Sequence, residues 1–246
     1  MIKSIQNRRT IRKYKEQDVD TQLLKKLLEE ASRASTTGNM QLYSVIITKD
    51  EEKKAALAPT HFNQPTFKGA PVVLTFCADY NRFNQWCKQR NAKPGYDNFQ
   101  SFMTGAIDTL LLAQNFATLA EEEGLGICFL GTTTYNAPQI AEILELPKYV
   151  VPITTITVGY PDENPEQTDR LPVESFVHEE TYKDYTPKDI DQFFSEKEAL
   201  EANKNFVKIN NKETLAQIFT DIRYTKKDGD YFSNVYWEHI KKQFEF

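Results

Sequence analysis

Residues 98–123 make the strongest demand on how this chain folds. Phe99, Phe102, Met103, Ala106, Ile107, Leu110, Leu112, Ala113, Phe116, Ala117 and Ala120 recur at helical spacing, and in the second half of the stretch apolar residues cover nearly the whole circumference. A helix that long and that apolar has to be buried on most sides, as the spine of a core and also against a second subunit. Gly124 supplies its C-terminal stop. A chain of 246 residues is long enough to build one sizeable core around such a spine.

The elements around the spine alternate. Asp18 and Asp20 offer an N-cap to an amphipathic helix whose Leu23, Leu24, Leu27, Leu28 and Ala31 share one face. A polar loop over residues 32–41 leads to a β-branched run at 44–48. A short helix over 51–58 is stopped by Pro59, and an irregular stretch at 61–67 precedes a buried strand at 71–78. Residues 79–97 read as a surface excursion. Another apolar strand, 125–131, ends in Gly131 and three hydroxyls; a helix at 137–144 and a strand at 152–159 follow, and the tail reads as helices over 188–202, 211–223 and 230–244. Four or five strands separated by helices place the chain in the α/β or α+β class.

Composition narrows the function. Acidic residues outnumber basic ones 35 to 30, for a net charge of -5, which opposes a general nucleic-acid binder needing a basic field over one face. No apolar run approaches the roughly 20 residues needed to cross a bilayer, and no signal-type apolar region follows Lys3, so neither a membrane protein nor a secreted one is expected. Cys77, Cys87 and Cys128 form no C-x-x-C pair and no metal-ligand spacing, which fits a reducing cytoplasm. His61, His178 and His239 each stand alone and are expected at the surface, with no metal site. Phosphate-binding glycine loops, the G-x-S-x-G elbow and the H-E-x-x-H zinc motif are all missing. Hydrolytic and zinc chemistry thereby lose their usual support, and a bound cofactor suits the remaining amide-rich and anion-compatible loops better.

Four cations crowd one apolar residue in Arg8-Arg9-Thr10-Ile11-Arg12-Lys13. Guanidinium forks beside a small hydroxyl suit phosphate, so the stretch is either an anion site or a solvated basic turn. Two further polar loops, 32–41 and the one holding Gln64, could line a ligand. The glycine and hydroxyls at 131–134 could let backbone amides approach one, and Arg170 is another place to meet an anion.

The segment Arg8-Arg9-Thr10-Ile11-Arg12-Lys13-Tyr14 resembles the R-[RS]-[ST]-x-R-x-[FY] start of the FMN-dependent nitroreductase family. Residues 33–41, the Gln64 loop, residues 126–132 and the run from Gly159-Tyr160-Pro161 to Arg170-Leu171-Pro172 are similar, in the same order, to its oxygen-insensitive nitroreductase and NADPH-flavin oxidoreductase subgroup. The resemblance covers roughly residues 4–185. It implies a mixed central sheet with flanking helices, completed as an intertwined homodimer with FMN at the subunit interface. An FMN-binding domain over 1–185 would carry a helical extension, 186–246, packed on it. Arg8, Arg9, Thr10 and Arg12 are implied at the phosphate, ribityl chain and pyrimidine edge of FMN, joined by Arg170. Thr36, Thr37, Gly38 and Asn39 would come from the partner's side, Gln64 would address the ring system, and Leu130, Gly131 and Thr132 would bring backbone against it. Thr168 stands where the subgroup often has a lysine. The implied activity is ping-pong hydride transfer from NAD(P)H through FMN to a nitroaromatic, a quinone or free flavin, with no obligate catalytic side chain; the alternative is a flavin-binding or storage protein without turnover.

Overall fold

A computed structural model of the chain describes residues 2–246. Two compact units are distinguished, Met1–Gln167 with Phe232–Phe246, and Thr168–Tyr231. The first holds a sheet of four strands, β1 Tyr43–Thr48, β2 Val72–Asp79, β3 Gly126–Leu130 and β4 Val150–Gly159, in the order β1-β2-β4-β3 with every neighbour antiparallel. Its helices are α1 Lys3–Gln6, α2 Thr21–Ala31, α3 Glu51–Leu57, α4 Pro65–Lys68, α5 Asn81–Gln89, α6 Phe99–Glu122 and α7 Ala137–Ile143. The second unit contains α8 Pro187–Ala199, α9 Glu201–Ile209 and α10 Leu215–Ile218, and α11 Lys226–Phe244 returns the chain to the first. Helices flanking an antiparallel sheet make this an α+β protein. Among the described residues, no helix is long and apolar enough to cross a membrane.

The two central strands are buried on both faces, which is why β2 reads as a mainly apolar run, with Thr75 its one polar residue before Asp79. Leu74 and Phe76 of β2 and Ile156 and Val158 of β4 pack with Leu112, Phe116 and Ala120 of α6 and Leu24 and Leu27 of α2. Val73 points the other way, into a cluster with Leu57, Phe67 and Ile140. Pro152 lies inside β4 yet disrupts little, because the β2–β4 register slips between Phe76 and Cys77 at that point. Helix caps fall at the polar residues: Asp20 accepts from Gln22 N at 3.0 Å, and Asn98 accepts from Ser101 N at 3.0 Å.

Several expectations need correction. Residues 79–97 are no irregular excursion, since α5 occupies Asn81–Gln89 and Phe83 and Tyr80 pack against Tyr96 with ring centroids 5.5 and 5.2 Å apart. The helix expected over 188–202 is two helices, broken where Leu200 turns extended. Helix α11 starts at Lys226 rather than 230.

Helix α6 divides its surface. One side buries Phe102, Ala106, Leu112, Ala113 and Phe116, while Phe99, Met103, Ile107, Leu110 and Leu111 line the other and remain exposed within this chain. On the buried side stands one acid, Asp108, 1 % exposed. Its carboxylate accepts from Thr36 Oγ1 at 2.5 Å, from Thr37 N at 3.0 Å and from Thr37 Oγ1 at 3.3 Å, with Leu42 N at 3.4 Å. A buried carboxylate is tolerable only with that many donors, and these donors fix the 36–42 loop to the helix. Asp108→Ala leaves several of them unpaired and is expected to cost about 2–4 kcal/mol. A lowered chemical-denaturation midpoint should report this, with faster amide exchange concentrated in residues 36–42.

Candidate functional site

The arginine stretch is held by its backbone. Gly126 and Gly159 face each other across the β3–β4 pair, and both are bare for a reason. A Cβ at Gly126 would lie 2.7 Å from Ile11, and one at Gly159 would lie 2.8 Å from Tyr14 and 2.7 Å from Pro71. Residues 11 and 14 therefore sit directly on the sheet at this glycine pair. Ile11 N donates to Ile127 O at 3.0 Å, Lys15 N to Tyr160 O at 2.9 Å, and Asp162 N to Lys13 O at 3.0 Å. The Tyr14 hydroxyl meets Thr157 Oγ1 at 2.7 Å and Ile11 O at 2.8 Å, and burial pushes its ionisation far above the usual tyrosine range. Glu163 accepts from the backbone N–H groups of both Arg12 and Lys13. With Ile11 buried, Arg12 and Lys13 reach solvent while Arg8 and Arg9 stay half-buried.

The guanidiniums have few partners of their own. Among the described residues, Arg9 Nη1 reaches only the carbonyl of Asn7, at 3.1 Å, and its Nε is buried with no hydrogen-bond partner. Arg8 lies 3.5 Å from Thr10 Oγ1 and 3.9 Å from Glu121. Among the described residues, no carboxylate stands within ion-pair distance of the Arg9 or Arg12 side chains. Burial lifts Glu121 to about 7 even though Arg8 opposes the rise. The thiol of Cys128 on β3 is likewise raised by burial and drawn down by Arg12 and Arg8, so both guanidiniums act on the same strand.

At the other end of β3, five residues or about 15 Å from Gly126, the strand runs into the turn Gly131–Thr133. His61 is not at the surface: it is 1 % exposed, stacked on Phe67 at 4.6 Å, with Nδ1 2.8 Å from Thr132 Oγ1. Asn136 Nδ2 donates to Thr60 O at 2.7 Å, and these two contacts join the Gln64 loop to the Gly131 turn. Leu130 and Thr132 turn their side chains inward. Gly131 is exposed, with no atom within 4 Å of where a Cβ would stand, so backbone is what the turn presents. Gln64 is half-exposed at the N-cap of α4. His239 is a second correction, buried on α11 and pushed down to about 4, chiefly by burial and then by Lys242; His178 is half-buried and within 3.2 Å of the Tyr185 hydroxyl.

Two groups of expected residues are thus strung along β3: Arg8, Arg9, Thr10 and Arg12 at one end, Gln64, Leu130, Gly131 and Thr132 at the other. The 36–39 loop does not join the arginines within one chain. It is tied to Asp108, whereas Arg8 lies by Glu121, thirteen residues or about 20 Å further along α6. Arg170 belongs to the second unit, where Nη1 donates to Thr168 O and Asp169 O and Asp169 pairs with Lys197 at 2.8 Å. Sequence reading missed Asp108, Glu121, Glu163 and the placement of His61. Only Asp108 leaves a signal, as the one acid on the mostly apolar buried face of α6.

Comparison with known proteins bears on this arrangement. The sequence profile of the Nitroreductase family matches residues 5–160, which span both ends of β3 and the whole sheet. A Bacillus subtilis (strain 168) protein named FMN reductase [NAD(P)H] is 31% identical over 249 residues, covering 100% of this chain and 96% of that protein. A crystal structure of a Bacteroides fragilis NCTC 9343 protein, described as an oxidoreductase, superposes with a TM-score of 0.97 at 57% identity over 98% of each chain. The NfrA1 nitroreductase of B. subtilis gives a TM-score of 0.84 at 28% identity, over 97% of this chain and 98% of that one. This chain belongs to the nitroreductase family.

Proposed function

We propose that this protein is an FMN-dependent NAD(P)H oxidoreductase acting on nitroaromatics, quinones or free flavin, and that it works as a homodimer in the cytoplasm. One observation carries the assignment: a group of guanidiniums, one with a buried and unpartnered Nε, stands at one end of a strand whose other end presents bare backbone at Gly131. The donor set fits FMN. Arg8, Arg9 and Thr10 would hold its phosphate and ribityl end, and Arg12 its pyrimidine edge. Gln64 and the backbone of Leu130, Gly131 and Thr132 would hold the ring. When bound, FMN supplies the hydride chemistry, accepting from NAD(P)H and delivering to the second substrate in a ping-pong cycle. The names of relatives such as FMN reductase [NAD(P)H] support the same reading.

The exposed side of α6 supports the homodimer. Phe99, Met103, Ile107, Leu110 and Leu111 form an exposed apolar stripe that a second copy would bury, and the 36–39 loop, held about 20 Å from the arginines of its own chain, would serve the partner's site. Three unpaired, buried cysteines fit a reducing cytoplasm. Leu110→Glu should convert the protein to a monomer in analytical ultracentrifugation and strip its FMN together with its dimer contacts.

Arg12→Ala is expected to weaken FMN retention by about 10- to 100-fold, the worth of one charge-assisted contact, and to lower the flavin potential. Fluorescence titration and a dye-equilibrium potential measurement read the two effects. Unchanged values for both would return the stretch to a structural role.

Glu121 sets a pH dependence. Its carboxyl is neutral below about 7 and leaves Arg8 free for phosphate; ionised above that, it competes for the same guanidinium. FMN affinity should therefore fall about fivefold as pH rises from 6.5 to 8.5, and Glu121→Gln should flatten the profile. Because the folded protein holds this proton more tightly than the unfolded chain does, apo-protein stability should also decline as pH rises from 4.5 to 7.

A further inference from the structure

Beside the Gln64 loop lies a set of aromatic rings that the cofactor contacts do not use. Phe62 is 52 % exposed, although it precedes Gln64 by only two residues and follows buried His61. Its backbone is left-handed, at φ 54°, and so is that of Asn63, at 52°. A phenylalanine in that region is strained and persists only where its surroundings hold it. They do: Phe62 N donates to Pro59 O at 3.0 Å, Asn63 N to Ala58 O at 2.9 Å and Gln64 N to His61 O at 3.2 Å. The strain keeps a large apolar ring in solvent instead of in the core.

The ring is not isolated. Tyr135, whose N–H donates to Thr132 O at 3.2 Å, stacks on Phe232 of α11 with centroids 4.4 Å apart and planes 10° from parallel. Phe62 stands beside both, 6.5 Å from Tyr135 and 6.1 Å from Phe232, tilted 57° and 67° to them. Tyr135 and Phe232 are half-buried and Phe62 is open, so the three rings make a shelf with one free wall. The shelf is continuous with Gln64 and Thr132 through the backbone of the same two loops.

We propose that Phe62, backed by Tyr135 and Phe232, is the specificity element for the electron acceptor, stacking flat, electron-poor rings such as quinones and nitroarenes against the end of the site defined by Gln64 and Gly131. This rests on the oxidoreductase reading and adds to it the side chains that sort ring acceptors from compact ones. Electron-rich phenyl and phenol faces attract electron-poor planar rings and offer little to a compact anion. Acceptors without a ring gain nothing from the shelf.

The test compares menadione, a planar quinone, with ferricyanide, a compact anion that takes one electron per ion, two ions being reduced for each NADPH oxidised. Phe62→Asn removes the ring and keeps the left-handed backbone, which asparagine tolerates; Tyr135→Leu keeps bulk and removes the aromatic face. In both variants the ratio of kcat/KM for menadione to that for ferricyanide should fall about tenfold, through KM rather than kcat. Quenching titrations of the oxidised protein with menadione, in the absence of NADPH, should show Kd rising in the same proportion. An unchanged ratio, or an unchanged menadione Kd, overturns the proposal. A wild-type protein that reduces neither acceptor removes the oxidoreductase reading and the shelf's role with it, whereas turnover of both with no change in ratio overturns the shelf alone.

Discussion

The approach of Ile11 and Tyr14 to the paired glycines Gly126 and Gly159 is the contact on which the site depends. Two bare positions opposite each other on neighbouring strands leave a flat patch on the sheet. A segment with one buried apolar residue can lie on that patch only in one register. Ile11 fixes which residues turn inward, the hydrogen bonds from Ile11 N and Lys15 N fix the direction of the chain, and Glu163 takes up two further N–H groups. Position 12 then carries its charge into solvent, while Arg8 and Arg9 stay half-buried beside the end of α6. Like charges set this close repel, and a floppy loop would spread them; backbone bonds hold them together where charge repulsion would not.

Helix α6 applies the same logic at larger scale. Its buried side packs on the sheet, and the single acid there ties down the 36–42 loop. Its other side is apolar and uncovered within the chain. A helix with both properties links two functions through one rigid rod: what it does for its own sheet sets where it places the loop it carries. The separation of Asp108 and Glu121 along α6 then keeps the 36–42 loop and Arg8 about 20 Å apart along the helix.

Elements and chemistry were legible in the sequence to different depths. The helices α2 and α6 and the strands β2 and β4 announced themselves through apolar period and length, because burial is written directly into composition. The cluster at residues 8–12 announced its charge but not its restraint, since the glycines that receive it lie more than a hundred residues later. His61 was misplaced for a related reason. Nothing local marks it as buried; its environment is made by Phe67 and by Thr132, which reaches it only through the fold. Helix α5 was lost among polar residues, its burial resting on Asn84 and Cys87, and the break at Leu200 lacked the proline or glycine that ordinarily marks one.

The placement of His61 also bears on where the chemistry comes from. A histidine at hydrogen-bond distance from a hydroxyl, next to a candidate ligand site, invites the reading of a general base. Burial pushes it down to about 4, however, so across the physiological range it is a neutral, weakly basic imidazole, poorly suited to take a proton from a substrate. Its partner Thr132 faces inward as well, and Gln64 does not titrate. This end of the site therefore offers fixed dipoles, bare backbone and aromatic surface, all of which orient a ring and none of which moves a proton. A site so furnished leaves the electron-pair transfer to a bound redox group, and the protein's part in the reaction is to decide what lies against that group and at what angle.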